Sequence, residues 1–548
     1  MSNRPPIAKL RPIPATLTGC ALLIAFLFSP ANAQGQVALK FDAWSPKNPN
    51  LALESRGYWF DDDVDGDGRI DFVRLRGARV EAFLQIPGGG FEDDPSLAWD
   101  LQQDDEMFSF APLGLKGRPL VTFGSEGVCI VPPTKARDNS TSRAQWLIHE
   151  PLLLQRGDGL PSRGTGFVPW ENDPVGLLVV PRADGWTPYR RTGPLSYEQR
   201  DVLPTSVQPY LRQWINVEVP GEDHLQSFYP SDSKSKEKTV RIVQRVSFNH
   251  AYYVFADFDG DGRPEAVEVG EGKKIRKPDE TGKYTETSDQ FAIPSLNEET
   301  GKIEVASDVS NFLTGGELVD VDGDGLLDHL QTSADSSEVN PKSEFRLFLG
   351  EQPYKISGTP AQTIRIGAMT LPGFNTPLCD LNRDGMLDLA MIWLDIKPYS
   401  PQEAVRDFLD QGIDGELQFF LYRKGKGWPS SPDVKKKVRI SFDLFGFSFW
   451  GRPQLSLDED FDGDGKPDLA IKNRRQELQI FLQRKDKTEF ESRPAARVKT
   501  TRPISGIECK DLNADGRADL IVYTFDDDDR DYRGLEVFIS QAVGNGRQ

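Results

Sequence analysis

Apolar positions along this chain come in short runs. Phe72-Val73-Arg74-Leu75, Leu389-Ala390-Met391-Ile392 and Leu520-Ile521-Val522-Tyr523 are aliphatic and β-branched stretches that read as strands. A second kind of run is half-alternating: Glu81-Ala82-Phe83-Leu84, Glu416-Leu417-Gln418-Phe419-Phe420-Leu421, Glu477-Leu478-Gln479-Ile480-Phe481-Leu482 and Leu535-Glu536-Val537-Phe538-Ile539. Two of these end near glycine turns, Gly88-Gly89-Gly90-Phe91 and Gly425-Lys426-Gly427-Trp428, so each run reads as a further strand closed by a turn. The pattern predicts an almost helix-free chain built from one recurring unit.

The unit is marked by an acidic loop that occurs six times. DVDGDGRID offers Asp63, Asp65, Asp67 and Asp71, and DFDGDGRPE offers Asp257, Asp259, Asp261 and Glu265. DVDGDGLLD offers Asp320, Asp322, Asp324 and Asp328, and DLNRDGMLD offers Asp380, Asn382, Asp384 and Asp388. DFDGDGKPD offers Asp460, Asp462, Asp464 and Asp468, and DLNADGRAD offers Asp511, Asn513, Asp515 and Asp519. Alternate positions 1, 3 and 5 can turn oxygens toward one centre, and glycine at position 6 permits the sharp turn. A carbonyl at position 7 and the acid at position 9 complete an all-oxygen shell. That chemistry suits Ca2+, which takes six to eight oxygen ligands, better than Mg2+ or a transition metal. EF-hands share positions 1, 3 and 5 but need a glutamate at position 12 and flanking helices. Here position 12 is Arg74, Glu268, Gln331, Met391, Ile471 or Val522, and the residues after position 9 are strand-like.

The order strand, acidic loop, strand, strand, glycine turn, strand resembles the FG-GAP and VCBS repeats, the blades of integrin-α-like propellers. The resemblance implies an all-β, seven-bladed β-propeller of four-stranded antiparallel blades, eight blades being the alternative. It places up to six calcium ions in the loops joining the first two strands of a blade, on the residues named above. The loops recur about 50–80 residues apart from Asp257 onward, which is the size of such a blade.

The pattern departs between Asp63 and Asp257. Pro112 to Phe123 keeps Gly117, Arg118 and Pro119 but lacks the acids and carries Lys116 at position 5. It reads as a degenerate blade near residues 106–133 with no metal, the lysine standing in the site. Residues 134–249 read as insertion-rich, although Leu177–Val180 before Asp184-Gly185-Trp186 looks like a third strand and its turn. At the N-terminus, Val37–Phe41 precedes the first unit as a lone strand, suited to supply the outer strand of the last blade and leave no free edge.

Charge and composition narrow the function. Arg4, Lys9 and Arg11, the apolar run Ala21–Phe28 and the small residues Ala31-Asn32-Ala33 have the order of a secretory signal peptide, residues 1–33. Residues 34–548 then form a single propeller domain, secreted, periplasmic or at the cell surface, with no later apolar stretch long enough to span a membrane. The net charge of −19 excludes nucleic acid as a natural partner. With Cys20 removed in the signal peptide, Cys129, Cys379 and Cys509 read as buried thiols, since an odd, widely spaced set is no disulfide framework. The six loops hold 22 carboxylates, and two such charges about 4 Å apart repel by roughly 4 kcal/mol at an effective dielectric near 20. Calcium is therefore expected to be structural. The expected function is a binding or adhesion scaffold for a glycan or protein ligand. The alternative is a calcium-dependent, polysaccharide-active enzyme of lyase type on the same fold, by analogy of fold alone. Other signals carry simpler readings: Arg156-Gly157-Asp158 as a tight turn, Asn139-Ser140-Thr141 as a chance sequon, and Trp170, Trp186 and Trp214 as core or turn residues before sugar platforms. His149 beside Glu150 is the one adjacent acid–base pair noted.

Overall fold

The computed structural model describes residues 39–44, 58–203, 216–217, 246–247 and 253–541, with loop interruptions of which the longer are 137–143, 153–161, 269–274, 307–315, 335–341, 371–376, 395–411, 442–454 and 526–533. The expected signal peptide lies outside the described residues, as do Lys116, residues 139–141, 156–158 and 231–238, and Trp214. Among the described residues every regular element is a strand.

Eight sheets of four or five strands follow one another along the chain. The first pairs Tyr58–Asp62, Asp71–Arg76, Arg79–Phe83 and Leu97–Asp100, and the second is built on Asp105–Phe110, Leu120–Gly124 and Gly127–Val131. The third holds Phe167–Trp170, Asp173–Arg182, Gly185–Gly193 and Ser196–Gln199, and the fourth holds Tyr253–Ala256, Glu265–Glu268, Ile275–Pro278 and Tyr284–Glu286. The fifth contains Gly316–Val319, Asp328–Ala334, Ser343–Phe348 and Gln362–Ile366, and the sixth Leu378–Cys379, Asp388–Leu394, Gly412–Phe420 and Val434–Ser441. The seventh contains Leu455–Ser456, Leu469–Arg474, Glu477–Phe481 and Ala496–Lys499. The eighth is Ile504–Lys510, Asp519–Thr524 and Gly534–Gln541, with Lys40–Trp44 added antiparallel to Gly534–Gln541.

The difference between strand patterns has a physical cause. Second strands are covered on both faces: Leu120–Gly124 and Asp519–Thr524 are buried at every position. They therefore read as continuous apolar runs. Fourth strands alternate, as in Gln362–Ile366 and Ala496–Lys499, because one face meets solvent. What covers the second strands is the neighbouring sheet. Eight apolar cores each draw residues from two sheets that are consecutive in the chain, or from the last and the first. In the core between last and first, Trp59, Phe72, Phe83 and Phe91 pack with Leu512, Ile521, Val537 and Ile539. Ion pairs reinforce the seams of the first sheet on both sides: Lys510 Nζ lies 2.5 Å from Asp61 Oδ2, and Arg118 Nη1 lies 2.9 Å from Asp62 Oδ1.

Eight of the described sheets have four or five strands, against the seven blades expected and the eight held as the alternative. The third sheet, residues 167–199, lies inside the stretch expected to be rich in insertions. Leu177–Val180 belongs to its second strand, not a third, because Phe167–Trp170 already precedes it with no acidic-loop motif between the two. The segment from Pro112 to Phe123 does join a first strand to a second, as expected, and Val121 lies in a strand. The lone N-terminal strand is Lys40–Trp44, a few residues beyond Val37–Phe41, and it pairs where expected, in register Lys40–Gln541 to Trp44–Val537.

Removing residues 39–44 should leave Gly534–Gln541 as an open edge. We expect a lower thermal midpoint and concentration-dependent self-association in size-exclusion chromatography with light scattering. An unchanged midpoint and a monodisperse monomer would contradict this role of the strand.

Candidate metal centres

All six acidic loops join the first strand of a sheet to its second, and all are built the same way. The position-1 carboxylate gathers amides of its own loop. Asp63 Oδ1 accepts from Gly66 N at 2.8 Å and Oδ2 from Gly68 N at 3.0 Å. Asp257, Asp320 and Asp460 repeat both contacts, and Asp380 and Asp511 accept from the position-5 and position-6 amides. The position-5 carboxylate accepts from the amide two residues on, for example Asp324 Oδ1 from Leu326 N at 2.8 Å. Glycine at position 6 has φ between +80° and +89° in all six loops, a conformation that other residues avoid.

The position-9 acid does something different. It is buried, and both of its oxygens are taken. In five loops one oxygen accepts from the position-2 amide and the other from an amide at the end of the third strand or just beyond it. Asp468 takes Phe461 N at 2.8 Å and Gln483 N at 2.7 Å. Asp71, Asp328, Asp388 and Asp519 take Gln85, Gly350, Tyr422 and Ser540 in the same way as Gln483. The side chain thus locks loop, second strand and third-strand end together. Burial pushes these carboxyls up despite their amide donors: Asp71, Glu265, Asp328 and Asp519 to about 7, Asp388 to about 8, and Asp468 well above the usual carboxylate range.

Metal-ready clusters arise on this frame. Carboxylate oxygens of Asp63, Asp65 and Asp71, of Asp257, Asp259 and Asp261, of Asp320, Asp322 and Asp328, and of Asp460, Asp462 and Asp464 lie within 4.8 Å of one another in each set. Burial, and then the charges of Asp464 and Asp460, raise Asp462 to about 6, as expected where like charges converge without a cation. In the loops at 380 and 511, position 3 is Asn382 or Asn513, whose amide Oδ1 accepts from the position-5 amide. An all-oxygen donor set of this kind fits a hard divalent cation.

The loops also touch one another. Leu387 N donates to Val321 O at 2.9 Å, Ala518 N to Asp460 O at 2.7 Å, and Ile70 N to Leu512 O at 3.2 Å. The acid-free loop of the second sheet joins this series, since Arg118 N donates to Val64 O at 3.3 Å. There Gly117 has φ +76°, and a Cβ on it would stand 2.5 Å from Val64 O, so glycine is required twice over. Arg191 of the third sheet donates to Leu113 O of that loop at 2.6 Å.

Residues 460–522 match the FG-GAP-like repeat family. That stretch runs from the acidic loop of the seventh sheet to the second strand of the eighth, so one repeat carries two of the six loops. No curated protein matches the chain. Among solved structures, an Agrocybe aegerita lectin described as recognising non-reducing terminal N-acetylglucosamine is similar at 14% identity, with TM-score 0.31, over 80% of this chain and 79% of its own. The BBS1N–ARL6DN complex soaked with lead offers a chain similar at 9% identity, with TM-score 0.26, over 86% of this chain and 99% of that one. These likenesses are too loose to carry function, and the fold rests on the sheets described above.

Other sequence signals resolve into packing. Glu150 pairs with Arg182 and accepts from Tyr189 OH at 3.1 Å, while His149 stacks on Trp146 at 4.2 Å between ring centroids. Trp170 and Trp186 are buried, as are Cys129, Cys379 and Cys509, which lie in different sheets. Two features escaped the sequence reading. Position 4 is also left-handed, at Gly66, Gly260, Gly323, Gly463, Arg383 and Ala514. The repeated D-G-D-G hinted at this. Lys277 and Tyr354 at the second acidic loop had no sequence signal.

Asp468→Asn should cost the metal-free protein about 1–3 kcal/mol, because the new amide NH2 faces a backbone donor. Calcium should not restore it, whereas Asp462→Ala should matter only when calcium is present. Chemical denaturation of both variants with and without calcium distinguishes brace from ligand. The raised position-9 carboxyls also set a pH trend. A folded pKa above the unfolded one contributes stability that is full below about pH 4 and is lost as pH climbs through 7 to 8. Metal-free protein should therefore melt lower at pH 8 than at pH 5. Calcium should reverse the slope, since it binds the ionised form. A midpoint that rises from pH 5 to 8 without metal would contradict the assignment.

Proposed function

We propose that this chain is a secreted, calcium-stabilised β-propeller of eight blades that serves as a binding scaffold for a glycan or protein ligand. The observation that carries the calcium reading is the set of four loops in which three carboxylates bring oxygens within 4.8 Å of one another. Asp, Asn and backbone carbonyl oxygens are hard donors, and the loop length leaves room for the six to eight ligands that calcium takes. The eight pairwise cores support eight blades. The core between the eighth and first sheets, with Lys40–Trp44 on the outer edge of the eighth, supports closure. No helix among the described residues is long and apolar enough to cross a membrane. The signal-like residues 1–33 support export.

A binding role is favoured over catalysis because Glu150, the acid of the one adjacent acid–base pair, is held by Arg182 and Tyr189 between the second and third sheets. Trp146 is 39% exposed on the edge strand of the second sheet and stacked with His149. It offers an aromatic surface of the kind that sugar rings pack on.

Thermal melts with calcium, without metal and with magnesium test the scaffold. Each site filled at a hundredfold excess over Kd contributes about 2.7 kcal/mol, so calcium should raise the midpoint well above the other two conditions. A glycan array with the calcium-loaded chain tests the ligand class, and Trp146→Ala should lose the signal while keeping the midpoint. Equal midpoints in all three conditions would overturn the calcium reading. Release of shortened sugar from a polysaccharide would favour the enzyme instead.

A further inference from the structure

The acidic loop at Asp257 is built unlike the other five. Its position-9 residue is glutamate, and only one of its oxygens follows the common pattern: Glu265 Oε2 accepts from Phe258 N at 2.7 Å. The other, Oε1, accepts from the Tyr354 hydroxyl at 2.7 Å, across the seam to the fifth sheet. Tyr354 sits in the tight hairpin between Gly350–Gln352 and Lys355–Ile356 with φ +65°, a costly conformation for a residue other than glycine. Lys277, on the third strand of the fourth sheet, places Nζ 2.9 Å from Asp259 Oδ2 and 4.7 Å from the centroid of the Tyr354 ring. Arg263 donates from Nε and Nη2 to Asp261 Oδ2. Two of the three clustered carboxylates thus hold a side-chain cation on their own oxygens.

Lys466, at position 7 of the seventh sheet's loop where Arg263 stands in this one, is directed elsewhere. Its Nζ donates to the carbonyls of Arg484 and Lys485, each at 2.9 Å, and Lys485 acts on Asp462 by its charge. At Asp259 an ammonium instead holds Oδ2, while Oδ1 accepts from the Asp261 amide. The ammonium itself lies over the aromatic ring of the residue that also anchors Glu265.

We propose that Lys277 is a resident counter-ion that makes the Asp257 loop self-sufficient, so that this loop assembles without calcium and takes the ion more weakly than the loops at Asp320 and Asp460. The proposal rests on the calcium reading of the acidic loops. It assigns Lys277 as the residue that sets affinity at one site, and Tyr354 as the residue that positions it. Calcium entering this loop must first displace the ammonium from Asp259, and removing that positive charge should tighten binding by about tenfold or more.

The test counts ions bound to the full chain by equilibrium dialysis and metal analysis across a calcium titration. Wild type should saturate its strong sites and hold one ion fewer than Lys277→Met at the same free calcium. Lys277→Gln keeps a polar side chain without the charge and should gain the same ion. Adding Asp259→Asn to Lys277→Met should remove it again, which locates the gain. Circular dichroism of each variant shows whether it is folded. Equal ion counts and affinities in wild type and both Lys277 variants would overturn the proposal while leaving the calcium reading intact. No bound calcium in any of them would overturn the calcium reading, and this proposal with it.

Discussion

A buried carboxylate that accepts two hydrogen bonds from separate strands is expensive to desolvate and hard to replace. The acid at position 9 meets that demand in five sheets with two backbone amides, and in the fourth sheet with one amide and the Tyr354 hydroxyl. It fixes where the loop leaves the sheet and where the third strand ends. The position-1 carboxylate then only has to collect the amides of a loop whose two ends are already held. Oxygens converge on that frame from positions 1, 3 and 5 in the loops at Asp257 and Asp460, and from positions 1, 3 and 9 in those at Asp63 and Asp320. The frame would persist without metal, whereas the crowding of charge within these clusters would not be comfortable without a cation.

The second consequence is lateral. A loop held rigidly at the end of one sheet can serve as a hydrogen-bond partner for the next, and the position-8 amides of three loops donate to the position-1 or position-2 carbonyl of a neighbour. Beneath the loops the apolar cores follow the same order, each shared by two sheets. Where the acids are lost, as at Gly117 and Arg118, the lateral bond to Val64 survives. Arg191 from the third sheet supplies a comparable contact at Leu113, where no acidic loop follows. Lateral bonding therefore does not require the metal, only the turn geometry that the glycines allow.

Much of this was legible because it is encoded locally. The acidic loops and their glycines have fixed spacing, and second strands such as Leu389–Ile392 advertise two-sided burial as continuous apolar runs. The third sheet was harder to read. Only Glu171 and Asn172 separate Phe167–Trp170 from Asp173–Arg182, too few for the nine-residue acidic loop, so the sheet lacks the marker by which six of the others were found. The position-9 acid was expected in the metal shell, and Asp71 and Asp328 do bring an oxygen to their clusters; what no local pattern showed is its second amide donor, 14 or more positions further on, such as Gln85 or Ser540. The partnership of Lys277, Tyr354 and Glu265 spans two sheets and 89 residues between Tyr354 and Glu265, beyond the reach of any local pattern.

The central claim is that six repeated frames present oxygens to calcium. The most direct test is an anomalous difference map from crystals grown with calcium. The account predicts peaks enclosed by the acidic oxygens of the loops at Asp63, Asp320, Asp380, Asp460 and Asp511, with the Asp257 loop weak or empty and Lys277 on Asp259. Loops that keep the same backbone but hold only water, at calcium concentrations well above those of an extracellular medium, would contradict it.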